Sequence, residues 1–476
     1  MRLRSRHLAL VAFLATAALV AGCGGDGDTP STTPSTPGPA PTQAELTVDV
    51  IDGDTRAPLA GATVRAIDEQ SGQVTAELVA GANGQAAVPA GTTLAQATGP
   101  GHQADARAIP AGKTGVTIPL YDPTLQSPEY GGGGGRTRYV PSVDLPPPSG
   151  RPTWDWTGRA LLEFPPAVAR GVVALTTNTG RVLVFNARTG FIIWTKRQST
   201  TIPIASSPAI IAEQGMVLVS GMDGRLVAYT LANGRELWTF STGRSKIESS
   251  PLVSEGTAYI GAHNGRLYAV ATDTGKARWT FQAAGDIKSS VAKSGDTIVV
   301  GDYAGTLYGV SASTGTQIWR ARVGKRLYGG PAISGNTVVV GDVGGAVVAV
   351  DLRTGRQRWR HPTNGGIVYS SPAIARGSVF IGSYNGTFEA LGLSDGKRRW
   401  AYDVGGRISG SATVVGTTVY TSVLARKGER DRTFGLDVTT GKVVWQNDDG
   451  RYSPAVGAGR TLYIVGKNTL YAYRTD

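Results

Sequence analysis

Cysteine is almost absent from this chain of 476 residues: Cys23 is the only one. No disulfide can form within the chain, so the fold has to hold by packing alone. Histidine is nearly as scarce. Beyond the first few residues only His102, His263 and His361 remain. Acidic residues are in deficit, with 35 Asp and Glu against 47 Lys and Arg. No long apolar run stands out. Leu8–Val20 covers 13 residues, short of the ~20 that a membrane-spanning helix needs. Glycine (66) and proline (26) are plentiful, but Trp, Tyr, Val and Ile recur beside them throughout. That mixture predicts many short strands joined by tight turns.

Residues 1–22 have the layout of an export signal. Arg2, Arg4 and Arg6 precede the apolar run, which ends in Val20-Ala21-Gly22-Cys23. The ending resembles a bacterial lipobox, in which the cysteine is acylated and becomes the new N-terminus. Cys23 is therefore the expected lipidation site, and residues 1–22 stay outside the fold argument. The expected location is the extracytoplasmic side of a cell membrane or outer membrane, through a lipid anchor. Residues 23–44 are Pro, Thr, Ser and Gly, too polar to offset ordering entropy, and predict a disordered tether.

Residues 45–121 change character. Leu46–Ile51 alternates apolar and polar, as do Pro58–Ile67 and Gly115–Tyr121, with Gly, Asp and Asn clusters between. The pattern predicts a small antiparallel β-sandwich. Pro58-Leu-Ala-Gly-Ala-Thr-Val64 resembles the second strand of the carboxypeptidase-regulatory-like family, which implies a spacer or adhesive module. Residues 122–150 hold a glycine run, Gly131–Gly135, and a proline run, Pro146–Pro148. They read as an interdomain linker.

From residue 151 the chain repeats. A glycine followed by a tryptophan recurs at Trp194, Trp238, Trp279, Trp319, Trp359, Trp400 and Trp445. A period of about 40 residues with several short strands marks a propeller blade. Strands of the Leu-Tyr-Ala-Val type start at Val182, Leu226, Leu267, Leu307, Val347, Phe388, Phe434 and Leu470, which makes eight. Only seven are followed by a tryptophan strand, so Trp154 and Trp156 are expected to supply the eighth and close the ring. The predicted fold is all-β, an eight-bladed propeller preceded by a small sandwich. Ala349-Val-Asp351-Leu-Arg-Thr354-Gly355-Arg-Gln-Arg-Trp359 resembles the pyrroloquinoline-quinone-type repeat. With the lipobox, the repeats also resemble the propeller lipoproteins of the outer-membrane β-barrel assembly machinery. The extra sandwich departs from that pattern.

The quinoprotein resemblance implies a dehydrogenase only if the cofactor machinery is present. Quinoprotein alcohol dehydrogenases use an adjacent cysteine pair, a calcium held by carboxylate and Asn, and an Asp base. The cysteine pair is missing, and Asp273, Asp351 and Asp437 read as turn residues. Ser249-Ser250-Pro251 and Ser370-Ser371-Pro372 read as repeat elements with no paired His. No catalytic residue, metal ligand or cofactor is expected. A quinone-dependent dehydrogenase and a wall-polymer or carbohydrate binder remain the alternatives.

What is left is a surface. Four residues before each Ser-Ser-Pro proline or its equivalent stand Ile204, Ile247, Ile287, Leu327, Val368 and Ile408, a packing column. Three residues before stand Ala205, Glu248, Lys288, Tyr328, Tyr369, Ser409 and Arg451, a column free to vary and expected at the channel mouth. Five before come Lys246, Arg326 and Arg407. An insertion at 424–432 adds Arg426, Lys427, Arg430 and Arg432. Residues 151–476 carry 38 Lys and Arg against 22 Asp and Glu, a net +16. The candidate binding face is thus Lys288, Arg326, Tyr328, Tyr369, Arg407, Arg451 and the inserted loop. The expected partner is an envelope protein or anionic envelope polymer rather than nucleic acid, bound by a monomer without catalysis.

Overall fold

The computed structural model describes residues 45–199, 202–364, 366–425, 430–452 and 454–475. Cys23, the export signal, the tether, Arg426 and Lys427 lie outside the described residues.

The first seven strands form two sheets: β1 (Leu46–Asp52), β2 (Thr63–Ile67), β3 (Val74–Val79), β4 (Gln85–Val88), β5 (Leu94–Thr98), β6 (Asp105–Ala108) and β7 (Gly115–Leu120). Their orders are β4-β1-β7 and β3-β2-β5-β6. Alternation puts Val48, Val50, Val64, Ala66, Val88, Ile118 and Leu120 into one shared core. One pairing departs from the antiparallel expectation, because β7 runs parallel to β1. The long excursion through β2–β6 supplies the crossover that a parallel pair requires.

The ring begins with β8 (Trp154–Thr157), β9 (Ala167–Ala169), β10 (Val172–Thr176), β11 (Arg181–Asn186) and β12 (Ile192–Arg197). Strands β9–β12 make the first blade. Strands β13–β36 make six more four-stranded sheets in chain order. The last sheet joins β37 (Ala455–Ala458), β38 (Thr461–Val465) and β39 (Thr469–Arg474) to β8, which pairs antiparallel with β39 through Leu470–Trp156 and Ala472–Trp154. The ring thus holds eight four-stranded sheets among the described residues.

The core lies between the sheets rather than within them. A separate apolar cluster fills each gap between neighbours; Val184 and Trp194 meet Val217 and Tyr229 in one. The ring closes where Leu175 and Phe185 of the first blade meet Tyr463 and Leu470 of the last. The repeat tryptophans lock neighbours together. Trp238 Nε1 donates to Thr272 O at 2.8 Å and Trp319 Nε1 to Leu352 O at 2.7 Å. Six of the seven indoles, all but Trp445, lie against a turn glycine of the following blade: a Cβ on Gly275, which has φ 68°, would sit 2.6 Å from the Trp238 ring. No other residue type allows that approach. Trp154 repeats the arrangement across the closure, donating to Ala187 O at 2.9 Å and lying against Gly190. Trp156 packs edge-on to Phe185 at 5.4 Å.

Among the turn aspartates, Asp351 and Asp437 each accept two backbone N–H bonds from residues two and three further on. Asp273 does not share this role. It stands two places later in its repeat, where Ala271 fills the aspartate position.

Residues 122–150 are not a free linker. Residues 125–139 run across the axis of the ring and bond to the inner strands of seven blades and to Gly459, just past the inner strand of the eighth. Ser127 exchanges two backbone bonds with Val168, at 2.7 and 3.0 Å. Ile210 N donates to Pro128 O (2.7 Å) and Val253 N to Glu129 Oε2 (2.9 Å). Lys293, Ile333, Ile374 and Val414 donate to the carbonyls of Gly134, Gly135, Thr137 and Arg138, and Gly459 to that of Leu125. The inner edge of each sheet would otherwise present unpaired N–H groups to the channel. Gly131, Gly132 and Gly133, at φ 82°, 75° and 142°, give the segment its sharp curl. A glycine run that composition reads as flexibility is here a fitted turn.

Candidate functional site

The axial segment leaves the channel open at one end. There a cavity of about 570 Å³ is lined by Ala205, Glu248, Lys288, Tyr328, Tyr369 and Ser409, with Tyr130 of the axial segment as its floor. The variable column thus converges on the mouth. Its aliphatic neighbours Ile247, Ile287, Leu327, Val368 and Ile408 are fully buried between blades and aim the next residue inward. The first blade adds Glu163, and the last adds Tyr452 rather than its neighbour Arg451.

Cations and tyrosines form a crescent across four consecutive blades, the fourth to the seventh. Lys288 Nζ sits 4.4 Å from the centroid of Tyr303, and the Arg326 guanidinium 5.3 Å from the same ring. Arg407 lies 5.1 Å from Tyr384. The rings touch in series: Tyr303–Tyr328 at 6.4 Å, Tyr328–Tyr369 at 5.5 Å and Tyr369–Tyr384 at 5.3 Å. Such contacts hold a cation in place without consuming its charge. Tyr303 and Tyr384 fall outside the columns read from sequence. They share one place in the turn between the two middle strands, before Ala-Gly and Asn-Gly, where other blades carry Met222, His263 and Val343. This second variable column is the signal that could have found them.

The mouth is not uniformly basic. Glu248 Oε1 lies 2.9 Å from His263 Nε2, and the Tyr328 hydroxyl donates to Glu248 Oε2 at 3.3 Å. Burial would raise the Glu248 carboxyl, but the His263 contact and nearby Lys288 outweigh it and hold it below the usual range. Burial lifts Glu163, with Arg451 opposing. Tyr328 is pushed up by burial and by the Glu248 charge.

Not every predicted cation faces the mouth unpaired. Arg451 Nη1 is bound to Asp431 at 2.9 Å, and Arg432 Nε lies 3.6 Å from Asp448. Arg430 is exposed. Leu424 exchanges two backbone bonds with Arg407, so the inserted loop leaves the ring beside the crescent.

The repeat serines are structural. Ser249 and Ser370 donate to Gly261 O and Gly382 O within their blades. The Oγ atoms of Ser250, Ser290, Ser371 and Ser411 accept N–H bonds from the preceding blade. The histidines are scattered singly: His102 on Asp52, His263 on Glu248, His361 on Glu389. Among the described residues no three His, Cys, Asp or Glu side chains are grouped to hold a metal ion.

The axis itself is filled by the chain. Arg136, 1% exposed, donates to Val291 O (3.1 Å) and Pro251 O (2.8 Å), and lies 3.9 Å from buried Glu129. Arg138 donates to Pro372 O at 3.0 Å and covers the Tyr130 ring at 4.4 Å. The Tyr130 hydroxyl meets Ser411 Oγ at 3.0 Å.

Comparison with known proteins agrees with this architecture. The family model described as outer membrane protein assembly factor BamB matches residues 136–308 and 263–476. A relative of that name from Burkholderia pseudomallei (strain K96243) is 32% identical over 108 residues, 21% of this chain and 28% of that protein. The match therefore spans under a third of the relative's length. Among solved structures, BamB from Moraxella catarrhalis has a TM-score of 0.57 at 15% identity, covering 68% of this chain and 97% of its own. Quinohemoprotein alcohol dehydrogenase from Comamonas testosteroni has 0.62 at 14%, covering 73% and 80%. A europium-containing methanol dehydrogenase has 0.61 at 15%, covering 72% and 89%. Likeness at such identity speaks for the fold alone. With its matched residues spanning most of its length, the chain belongs to the quinoprotein-type repeat family described as outer membrane protein assembly factor BamB.

Proposed function

We propose that this protein is a non-catalytic binding propeller of the cell envelope, anchored through lipidated Cys23, that holds an anionic partner at its open mouth. The observation that carries the reading is the Lys288–Arg326–Arg407 crescent on its tyrosine ladder. Its Lys288, Tyr328 and Tyr369 line the mouth cavity above Tyr130 of the axial segment. Rigid aromatic groups beside fixed guanidinium groups are what binding hot spots are made of. The family match favours an envelope assembly protein as partner over a polymer. In this reading the sandwich acts as a spacer.

The quinoprotein neighbours keep a dehydrogenase in view. Against it stands the occupied axis, where Tyr130, Arg136 and Arg138 fill the centre of the ring. The test is capture from solubilised envelope fractions by the full chain and by a Lys288→Glu, Arg326→Glu, Arg407→Glu variant. The parent is expected to retain a discrete partner that the variant loses at low salt, with the difference shrinking as salt screens exposed charges. Equal capture by both removes the mouth from the reading. Quinone-dependent dye reduction by the parent would replace it with the enzymatic one.

A further inference from the structure

The outer strand of most blades begins with a polar residue after the repeat glycine: Arg235, Lys276, Thr316, Arg356, Lys397 and Lys442. The first blade breaks this rule. Its glycine is followed by Phe191, Ile192 and Ile193, which are 76%, 44% and 43% exposed. A phenylalanine so open to water contributes little burial to the fold. Contiguous exposed apolar groups of this kind mark interaction surfaces.

Arginines bracket this ridge, along the outer groove between the first and last blades. One cleft, of about 610 Å³, joins Ile192, Ile202 and Trp156 to Arg159, Arg181 and Arg197. A second, of about 640 Å³ at the junction with the sandwich, joins Ile193 to Arg56, Arg170, Arg188, Arg460 and Arg474. Among the described residues the guanidinium groups of Arg56, Arg159, Arg181, Arg188, Arg197 and Arg460 have neither a hydrogen-bond nor an ion-pair partner. Carboxylates are few here. Asp54 lines the second cleft, Asp155 is exposed on β8, and buried Asp105 is already held by Arg107 and Arg170.

We propose that this outer wall docks on an anionic phospholipid surface, with Phe191–Ile193 entering the headgroup layer and the unpaired arginines meeting lipid phosphates. The two kinds of group occur in the order such a surface demands, apolar at the centre and cationic on both flanks. Guanidinium groups pair with phosphate oxygens in bidentate fashion. Juxtamembrane arginines gain from the negative surface potential of such a bilayer. The wall is separate from the mouth, so this inference stands independently of the partner reading.

The test is flotation of the full chain with vesicles, carrying Cys23→Ser throughout so that no acyl chain contributes. Vesicles of phosphatidylcholine with about a third phosphatidylglycerol are expected to bind the protein at least about tenfold better than phosphatidylcholine alone. Phe191→Ser with Ile193→Ser, and separately Arg181→Glu with Arg188→Glu and Arg197→Glu, are expected to abolish that gain. The mouth variant Lys288→Glu, Arg326→Glu, Arg407→Glu is expected to keep it. All these positions except Lys288 are exposed, so the variants should fold; a melting curve checks this. An environment-sensitive dye on Ile192→Cys should shift to the blue on anionic vesicles. The same dye on Ala277→Cys, the matching place in the third blade, should not. Absence of anionic preference, wall variants that bind like the parent, or equal dye shifts at both places would each overturn the proposal.

Discussion

The ring and the segment that stoppers it are neighbours in space but opposites in how they are encoded. The ring restates its structural roles blade after blade, so a column that stays aliphatic, such as Ile247, Ile287 and Leu327, declares its own burial. The axial segment occurs once. Its Arg136 and Arg138 resemble any exposed arginine in sequence, yet they are among the most buried charged groups in the molecule. Repetition makes a residue's environment legible; uniqueness hides it.

The sharpest way to break this contrast is to exchange residues 125–139 for a Gly/Ser stretch of equal length. If the segment were a linker, thermal stability would not move. Because the inner strands of seven blades donate to it, we expect a larger loss than from any single substitution, a fall in melting temperature of tens of degrees or failure to fold. The exchange removes the buried side chains of Glu129, Tyr130, Arg136 and Arg138 that fix the segment in place; with the segment free to leave, bonds worth ~1 kcal/mol each go with it and together rival a domain's ~5–15 kcal/mol of stability. Arg136→Ala isolates the charge. It strands Glu129, whose carboxyl burial already raises, and should cost ~3–5 kcal/mol in a denaturant melt.

The closure strand gives the next effect. Trp154→Ala removes a half-buried indole, its bond to Ala187 O and its seat on Gly190. The expected loss is ~3–5 kcal/mol, and the whole ring should melt in one transition. Retention of the parent melting temperature would show that the last and first blades are held by other contacts. Gly275→Ala is expected to cost less, ~2–3 kcal/mol, from left-handed strain and overlap with Trp238. A neutral result would mean that the turn can shift away from the indole.

The strands of the ring, their eightfold repeat and the inward aim of Lys288, Tyr328 and Tyr369 were legible, because periodicity of two and of about 40 residues encodes them directly; the parallel pairing of β7 with β1 in the sandwich was not. The limits of the site were not. Tyr303 and Tyr384 sit in a turn column masked by its variety. Asp431 and Asp448 neutralise Arg451 and Arg432 through loop geometry that no spacing records. The second arginine cleft of the outer wall needed the sandwich set against the ring.

The smallest predicted effect lies at that junction. Asp54 belongs to the sandwich but reaches the axial segment, accepting a bond from Gln126 at 3.4 Å, while its second oxygen is buried without a partner. Burial, and then the nearby charge of Asp52, push its carboxyl up to about 6. An unfolded aspartate titrates near ~3.9. The folded state therefore binds the proton more tightly, and ionising Asp54 weakens the fold. That penalty is absent below about pH 4, grows between about 4 and 6, and is fully present at neutral pH. A shift of this size corresponds to ~3 kcal/mol at most, and partial solvent access cuts it to ~1 kcal/mol. Asp54→Asn removes the charge while keeping the shape. Its melting temperature should exceed the parent's by a few degrees at pH 7.5 and match it at pH 4. A variant less stable than the parent at both pH values would show that the ionised carboxylate anchors the sandwich to the ring.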